Sequence, residues 1–541
     1  MKYTNLYNQP VPQSKPLDRR QAANNAGGFV YQIDDWKRLD RFLILGADSA
    51  TYYQKAADLT RENATCVLNC YDLDAAKTVQ QIVSVSDEGR APKNDAAIFA
   101  LALGASHTDT RVRQLALAAM PQVCRTSTHL FQFVGACRGL GRGWGRTLKR
   151  AVAKWYNDKT VDSIAYQVVK YREREGYTHK RLMQTAHPDP GKDQSRVELY
   201  KWIWGKNKII SVLPDMLQAH LEAIEQDCTK KRRLELVKTY NLPWEALPTE
   251  CNADPDYWAA QLPTIGLTAL IRNLGNLSRI GLIKPLSEAE NAIVSRLGNQ
   301  EDIRKSRLHP FNILQALSIY SSGHGYRGSG AWTVSRPVVD TLDSAFYLAF
   351  KNVVPTNKRH LIALDVSGSM GSPFGGSTLS CRDATAAMAL VTMATEPKTH
   401  VVGFTGGSGY YSYTGRGHQT TNAITPLNIS PKKSLSHAIA TISGLNFGTT
   451  DCALPMLYAL EKGLEVDVFS VYTDNETWAG TIHPMQALRD YRKKTGINAK
   501  LIVVGMTATN FSIADPLDGG AMDVVGFDSS APAVMADFAR D

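Results

Sequence analysis

The chain contains no Cys-x-x-Cys pair. Its eight cysteines, Cys66, Cys70, Cys124, Cys137, Cys228, Cys251, Cys381 and Cys452, are scattered over 541 residues. That distribution reads as reduced, mostly buried thiols in a cytoplasmic protein rather than a disulfide framework. No apolar run approaches the roughly 18 residues of a membrane-spanning helix, and the Asn-, Gln- and Pro-rich start lacks the apolar stretch of a secretory signal. A membrane protein or a secreted adhesion protein is therefore not expected. The short signatures of small nucleic-acid-binding modules are missing too: there is no RNP1 segment, KH GxxG loop, zinc-finger spacing or basic zipper. A nucleic-acid partner would have to be held by the fold as a whole.

Acidic residues are scarce in one region. Residues 1–350 carry 46 Lys and Arg against 35 Asp and Glu, whereas 351–541 carry 15 against 16. The basic excess thus lies entirely in the first part, and residues 101–150 alone hold eight basic residues against one acidic. Such a surface suits a polyanion, because Lys and Arg that neutralise phosphates release condensed counterions. A merely solubilising face is the alternative.

With 43% hydrophobic residues the chain can bury two or more cores. Apolar residues recur at three- and four-residue spacing over 94–105, 109–124, 148–156, 161–174, 216–226, 267–277 and 310–320, which predicts helices there. No comparable strand pattern occurs before residue 350. Many helices joined by short polar segments suggest a helical-repeat superhelix, although no fixed period is visible. From residue 360 the pattern changes. Short β-branched runs at 361–366, 400–404, 466–473 and 500–504 alternate with helical stretches at 381–395, 434–442, 452–462 and 484–494, which predicts a parallel sheet covered on both faces. The expected organisation is an all-α unit over 1–358 and an α/β unit over 359–541.

The first of those strands ends in Asp365-Val-Ser367-Gly-Ser369. A carboxylate and two hydroxyls at alternate positions past a strand end can converge on a hard divalent cation. Thr450, in Gly448-Thr-Thr-Asp, and Asp474, at the end of a second apolar strand, would add oxygen from neighbouring loops at the crevice where open α/β sheets bind ligands. Alone, Asp-x-Ser-x-Ser also serves as a turn capping the next helix. The expected ion is Mg2+, with Mn2+ or Ca2+ as alternatives. A hydrolase is disfavoured, since Asp365 and Asp474 are needed to hold the ion and no general base stands beside it.

Basic residues cluster twice. Arg138-Gly-Leu-Gly-Arg142-Gly-Trp144-Gly-Arg146-Thr-Leu-Lys149-Arg150 runs from a Gly-rich loop into a helix, placing Arg146, Lys149, Arg150 and Lys154 on one face beside a helix N-terminus. Trp144 could stack on a base or pack under the loop. Lys170 and Arg174 stand four apart on a predicted helix, followed by His179-Lys180-Arg181 and His187; a solvated face paired with Glu173 and Glu175 is the competing reading.

Over nearly its whole length the chain resembles the TROVE-domain family of Ro ribonucleoprotein autoantigens, and the bacterial members in particular. Segments that carry the resemblance include Asn25-Ala-Gly-Gly-Phe-Val-Tyr-Gln, Thr128-His-Leu-Phe, Leu267-Thr-Ala-Leu-Ile-Arg-Asn-Leu-Gly, Gly448-Thr-Thr-Asp-Cys-Ala-Leu-Pro-Met and Thr473-Asp-Asn-Glu-Thr-Trp-Ala-Gly. The resemblance implies a ring of HEAT-like helical repeats closed by a von Willebrand factor A domain, whose metal-ion-dependent adhesion site would be Asp365, Ser367, Ser369, Thr450 and Asp474. In that site the metal takes an acidic group of a protein partner. It further implies Y RNA on the outer surface, at Lys170, Arg174 and His187, and single-stranded 3′ ends of misfolded RNA in the central hole. In bacterial relatives, Y RNA tethers the protein to polynucleotide phosphorylase. Arg142, Arg146, Lys149, Arg150, Lys180 and Arg181 are added as RNA contacts from charge and spacing. A protein-interaction scaffold without a dedicated RNA role is the alternative. The Gly- and Tyr-rich segment 405–417 departs from the family pattern and reads as a surface loop.

Overall fold

The computed structural model describes residues 9–46, 64–206, 209–325, 330–351, 353–374, 379–406, 423–445, 448–507, 509–526 and 531–540. Most of the Gly- and Tyr-rich segment 405–417 lies outside them. Up to Leu348 the described chain is mainly helical, from Asp35–Leu45 to Arg336–Leu348. Many of the helices begin where side chains satisfy free backbone amides: Asp109 accepts from Arg111 N, Thr160 from Ser163 N and Thr178 from Arg181 N. Most bury one stripe, whereas helix Asp95–Ala105 is buried all round. Helix Arg146–Asn157 buries Leu148, Val152, Trp155 and Tyr156, leaving its basic residues on the opposite side.

Two expectations change. The helix predicted over 161–174 stops at Lys170, and Arg174 sits instead on a two-strand hairpin of β3 (Glu173–Arg174) and β4 (Tyr177–Thr178). The turn residues Glu175 and Gly176 take φ of 53° and 70°. A type I′ hairpin turn requires both central residues in that left-handed region, and glycine adopts it without steric cost. The first part also contains strands β1 (Gln21–Ala23) and β2 (Phe29–Gln32), too short to show alternation.

The second part is a six-stranded sheet formed by β5 (Arg359–Asp365), β6 (Lys398–Phe404), β7 (Ile424–Pro426), β8 (Val468–Thr473), β9 (Lys500–Gly505) and β11 (Ala521–Val525), in the order β11-β9-β8-β5-β6-β7. All neighbours pair in parallel except β7, which runs antiparallel to β6. Helix Cys381–Thr395 covers one face with Ala, Met and Leu side chains. Helix Pro484–Thr495 on the other side stops where expected, with Gly496 left-handed at φ 70°.

The two parts share structure. A continuous core runs from the helices into one face of the sheet, including Ile362, Leu364, Met388 and Leu435. Strand β10 (Phe511–Ser512) pairs with β2, so chain from both ends forms the three-stranded sheet β1-β2-β10. Arg41, fully buried, clamps Asp523 at 2.8 and 2.7 Å. From the far end of the array, Phe311 packs on Phe374 with ring centroids 5.2 Å apart, and Asp343 accepts from Leu435 N. Arg307 reaches Asp87 at 2.7 Å, and His309 Nε2 lies 3.1 Å from the Arg90 carbonyl, so late helices return to early ones. The array is closed. Among the described residues no helix is long and apolar enough to cross a membrane.

Candidate metal site and basic face

Asp365 ends β5, and Asp474 follows β8 directly, so both carboxylates emerge at the carboxyl edge of the two central parallel strands. Both residues are fully buried. Asp365 Oδ1 accepts from Ser367 N at 2.9 Å and its Oδ2 from Thr473 Oγ1 at 2.8 Å. Ser367 Oγ and Ser369 Oγ stand 3.1 Å apart, and Asp474 Oδ1 accepts from Glu476 N at 3.0 Å. Four of the five expected ligands are thus brought together. Thr450 is buried on the adjoining loop, where its carbonyl accepts from Trp478 N and Ala479 N, each at 3.1 Å.

Burial, with Asp474 beside it, pushes Asp365 up to about 7, against the opposing hydrogen bonds from Ser367 and Thr473. Asp474 is raised as well, chiefly by burial. Its Oδ2 is buried without a hydrogen-bond partner. An orphaned anionic oxygen beside a second carboxylate and two hydroxyls is a donor set for a hard cation. Among the described residues no group of three His, Cys, Asp or Glu stands ready to hold a metal, so such a site would depend on its hydroxyls and on water. That donor set fits Mg2+ or Mn2+ better than zinc.

The basic residues lie on adjoining elements. Helix Arg146–Asn157 packs against helix His179–Ala186, with Tyr156 Oη 3.0 Å from His179 Nδ1. Arg146 and Arg150 are exposed, Lys149 is half-buried, and Lys154 pairs with Asp158 at 2.7 Å. A Cβ at Gly139, Gly141, Gly143 or Gly145 would meet nothing within 4 Å, so the loop leading into this helix faces open space. Trp144 packs partly buried against the core. Arg142 differs from its neighbours: it is half-buried, donates to Thr147 Oγ1 at 2.9 Å, and leaves Nε buried without a partner.

In the second cluster Arg174, Lys180, Arg181 and His187 are exposed, and His187 caps its helix in the left-handed conformation. Lys170 is recessed. Its Nζ lies 3.1 Å from Tyr166 Oη and 3.9 Å from Glu245. Burial opposes its charge, but Tyr171, Tyr166 and Glu245 outweigh that and hold the ammonium above its ordinary range. Arg181 lies over the Tyr177 ring at 4.9 Å. The aromatic partners Tyr166, Tyr171 and Tyr177 do not stand out in the sequence, although Tyr166 lies four residues before Lys170 on the same helix.

The fold is an A-type α/β domain, with two buried carboxylates and two hydroxyls gathered at its strand ends, locked into a closed helical array. Family models agree on both parts: the TROVE domain matches residues 22–242 and 225–323, and the Ro60 vWA domain matches residues 359–539. The chain is 42% identical over 540 residues to the RNA-binding protein RO60 of Deinococcus radiodurans, covering 98% of this chain and 97% of that protein. It is 33% identical over 606 residues to the RNA-binding protein RO60 of Caenorhabditis elegans, covering 97% and 91% respectively. The crystal structure of the Deinococcus radiodurans RO (RSR) protein superposes with a TM-score of 0.69 at 40% identity, covering 94% of this chain and 99% of that one. The chain belongs to the Ro family of TROVE-domain proteins.

Proposed function

We propose that this protein binds noncoding RNA without acting on it chemically: Y-like RNA on the outer basic face, and the single-stranded 3′ ends of misfolded or structured RNAs through the closed array, in cytoplasmic RNA quality control or decay. The observation that carries this reading is the run of exposed basic side chains from Arg146 and Arg150 to Arg174, Lys180, Arg181 and His187, on elements packed against one another. Phosphate charge would supply most of the affinity. Recessed Lys170, steadied by Tyr166 and Glu245, would add a charged contact that also fixes register. The relatives named for RNA binding support the same class.

The loop site serves a separate task. It takes a divalent cation, Mg2+ first, on Asp365, Ser367, Ser369, Thr450 and Asp474, with a remaining position open to an acidic group of a protein partner. An exoribonuclease such as polynucleotide phosphorylase, held to the protein through bound RNA, fits the decay role. The test is filter binding of a Y-like RNA stem at fixed salt. Lys170→Ala combined with Arg174→Ala should weaken binding at least about tenfold, from two lost charged contacts at about 1 kcal/mol each or more. Asp365→Ala should leave it unchanged. RNA affinity that falls with Asp365→Ala in a folded protein, or that survives the double substitution, contradicts this division.

A further inference from the structure

The two loops that carry Asp474 and Thr450 are not held by the α/β domain alone. Gln13, fully buried, donates from Nε2 to Asp451 Oδ1 at 2.7 Å and to the Ile482 carbonyl at 2.9 Å, and its Oε1 accepts from Thr477 Oγ1. Asp451 follows Thr450, and Thr477 lies three residues past Asp474. One amide therefore bridges both loops, and Gln13 N adds a bond to the Gly480 carbonyl at 2.9 Å. A second bridge stands beside it: Asn24 Nδ2 donates to the Asn475 and Thr477 carbonyls at 3.2 and 2.9 Å, and Asn25 Nδ2 donates to Glu476 Oε1 at 2.9 Å. The approach is too close for side chains. A Cβ on Gly28 would strike the Thr477 carbonyl, and one on Gly480 would lie 2.5 Å from Asp451 Oδ1 and collide with Gln13.

From this geometry we propose that the strap of residues 11–29 is part of the cation site, with Gln13 and Asn24 as positioning residues that set the spacing of the Thr450 and Asp474 loops. The inference rests on the cation reading given above. Groups that orient metal ligands from behind typically change affinity 10–100-fold when removed. Coupling is reciprocal: a strap that tightens the cation is itself tightened by it. Because the same strap carries β1 and runs into β2, which pairs with both β1 and β10, cation occupancy is linked to closure between the helical array and the α/β domain.

The test uses the full chain and Mn2+, followed by the electron paramagnetic resonance signal of the free ion. Gln13→Met keeps the volume and removes every side-chain hydrogen bond; Arg20→Ala removes a different strap anchor, the pair to Asp515, which touches neither loop. The expected result is a Kd raised about 10–100-fold by Gln13→Met and a wild-type Kd for Arg20→Ala. In parallel, Mn2+ should slow amide hydrogen exchange across residues 11–29 in the wild type and not in Asp365→Ala, a readout that stands even if Gln13→Met does not fold. Wild-type affinity in Gln13→Met, equal weakening by Arg20→Ala, or strap exchange indifferent to Mn2+ overturns the proposal. A wild type that binds Mn2+ no better than Asp365→Ala overturns the cation reading itself.

Discussion

Asp474 keeps one carboxylate oxygen buried and unpaired, while its neighbour Asp365 is held up near neutrality by the same burial. Each cost would be relieved by a cation, so Mg2+ or Mn2+ should raise the thermal midpoint of the wild type, by about 2.7 kcal/mol of stability at a hundredfold excess over Kd. Asp474→Asn should show no such shift; a shift that persists would place the ion elsewhere. His179 is a second residue whose environment sets a measurable property. It is fully enclosed between Tyr156 and Phe131, and burial lowers it from 6.5 to about 4, outweighing the Tyr171 carbonyl that accepts from its Nε2 at 3.0 Å. The folded state thus disfavours the protonated ring. Its contribution is full above pH 6.5 and is lost as pH falls towards 4, at most about 3 kcal/mol. The thermal midpoint should drop over that interval, and His179→Gln should flatten the drop.

Local sequence makes some elements readable and leaves others hidden. The strands ending at Asp365 and Thr473, and helix Cys381–Thr395, announce themselves through runs of β-branched or Ala-rich residues, so the pattern of residues alone locates the strand-end loops proposed to hold a cation. The break after Lys170 is not legible in that way: Tyr171-Arg-Glu-Arg-Glu could continue a helix, and the left-handed pair Glu175-Gly176 turns the chain back into a hairpin. Strands β1, β2 and β10 are hidden for a different reason. They hold two to four residues each and are stabilised by one another across the chain, as Gln13 and Asp451 are joined across 438 residues. At this scale the strap is the element to perturb. Gly28→Ala sets a methyl against the Thr477 carbonyl and should release the strap, seen as faster tryptic cleavage at Arg19 and Arg20. Unchanged cleavage would mean the strap can shift to accommodate it. Removing one partner of the buried Arg41–Asp523 pair, as in Asp523→Ala, should cost about 3–5 kcal/mol by urea unfolding, because the guanidinium is left buried and uncompensated.

For the whole molecule, charge and closure divide the work. The basic excess lies entirely in the helical array, while the α/β domain is near neutral and carries the loops proposed to hold a cation. The chain therefore presents a basic surface suited to phosphate on the helical array, joined to the α/β domain by a shared core and by strands from both ends. RNA binding is the central claim, and it is tested most directly by titrating the protein across salt concentrations with a structured RNA bearing a 3′ single-stranded tail and with its blunt counterpart. The expected result is affinity that falls steeply with salt, by about 0.9 in log K per decade of salt for each duplex phosphate neutralised, with tighter binding of the tailed RNA. Weak, salt-insensitive binding of both RNAs at low salt would contradict it and leave a protein-interaction scaffold.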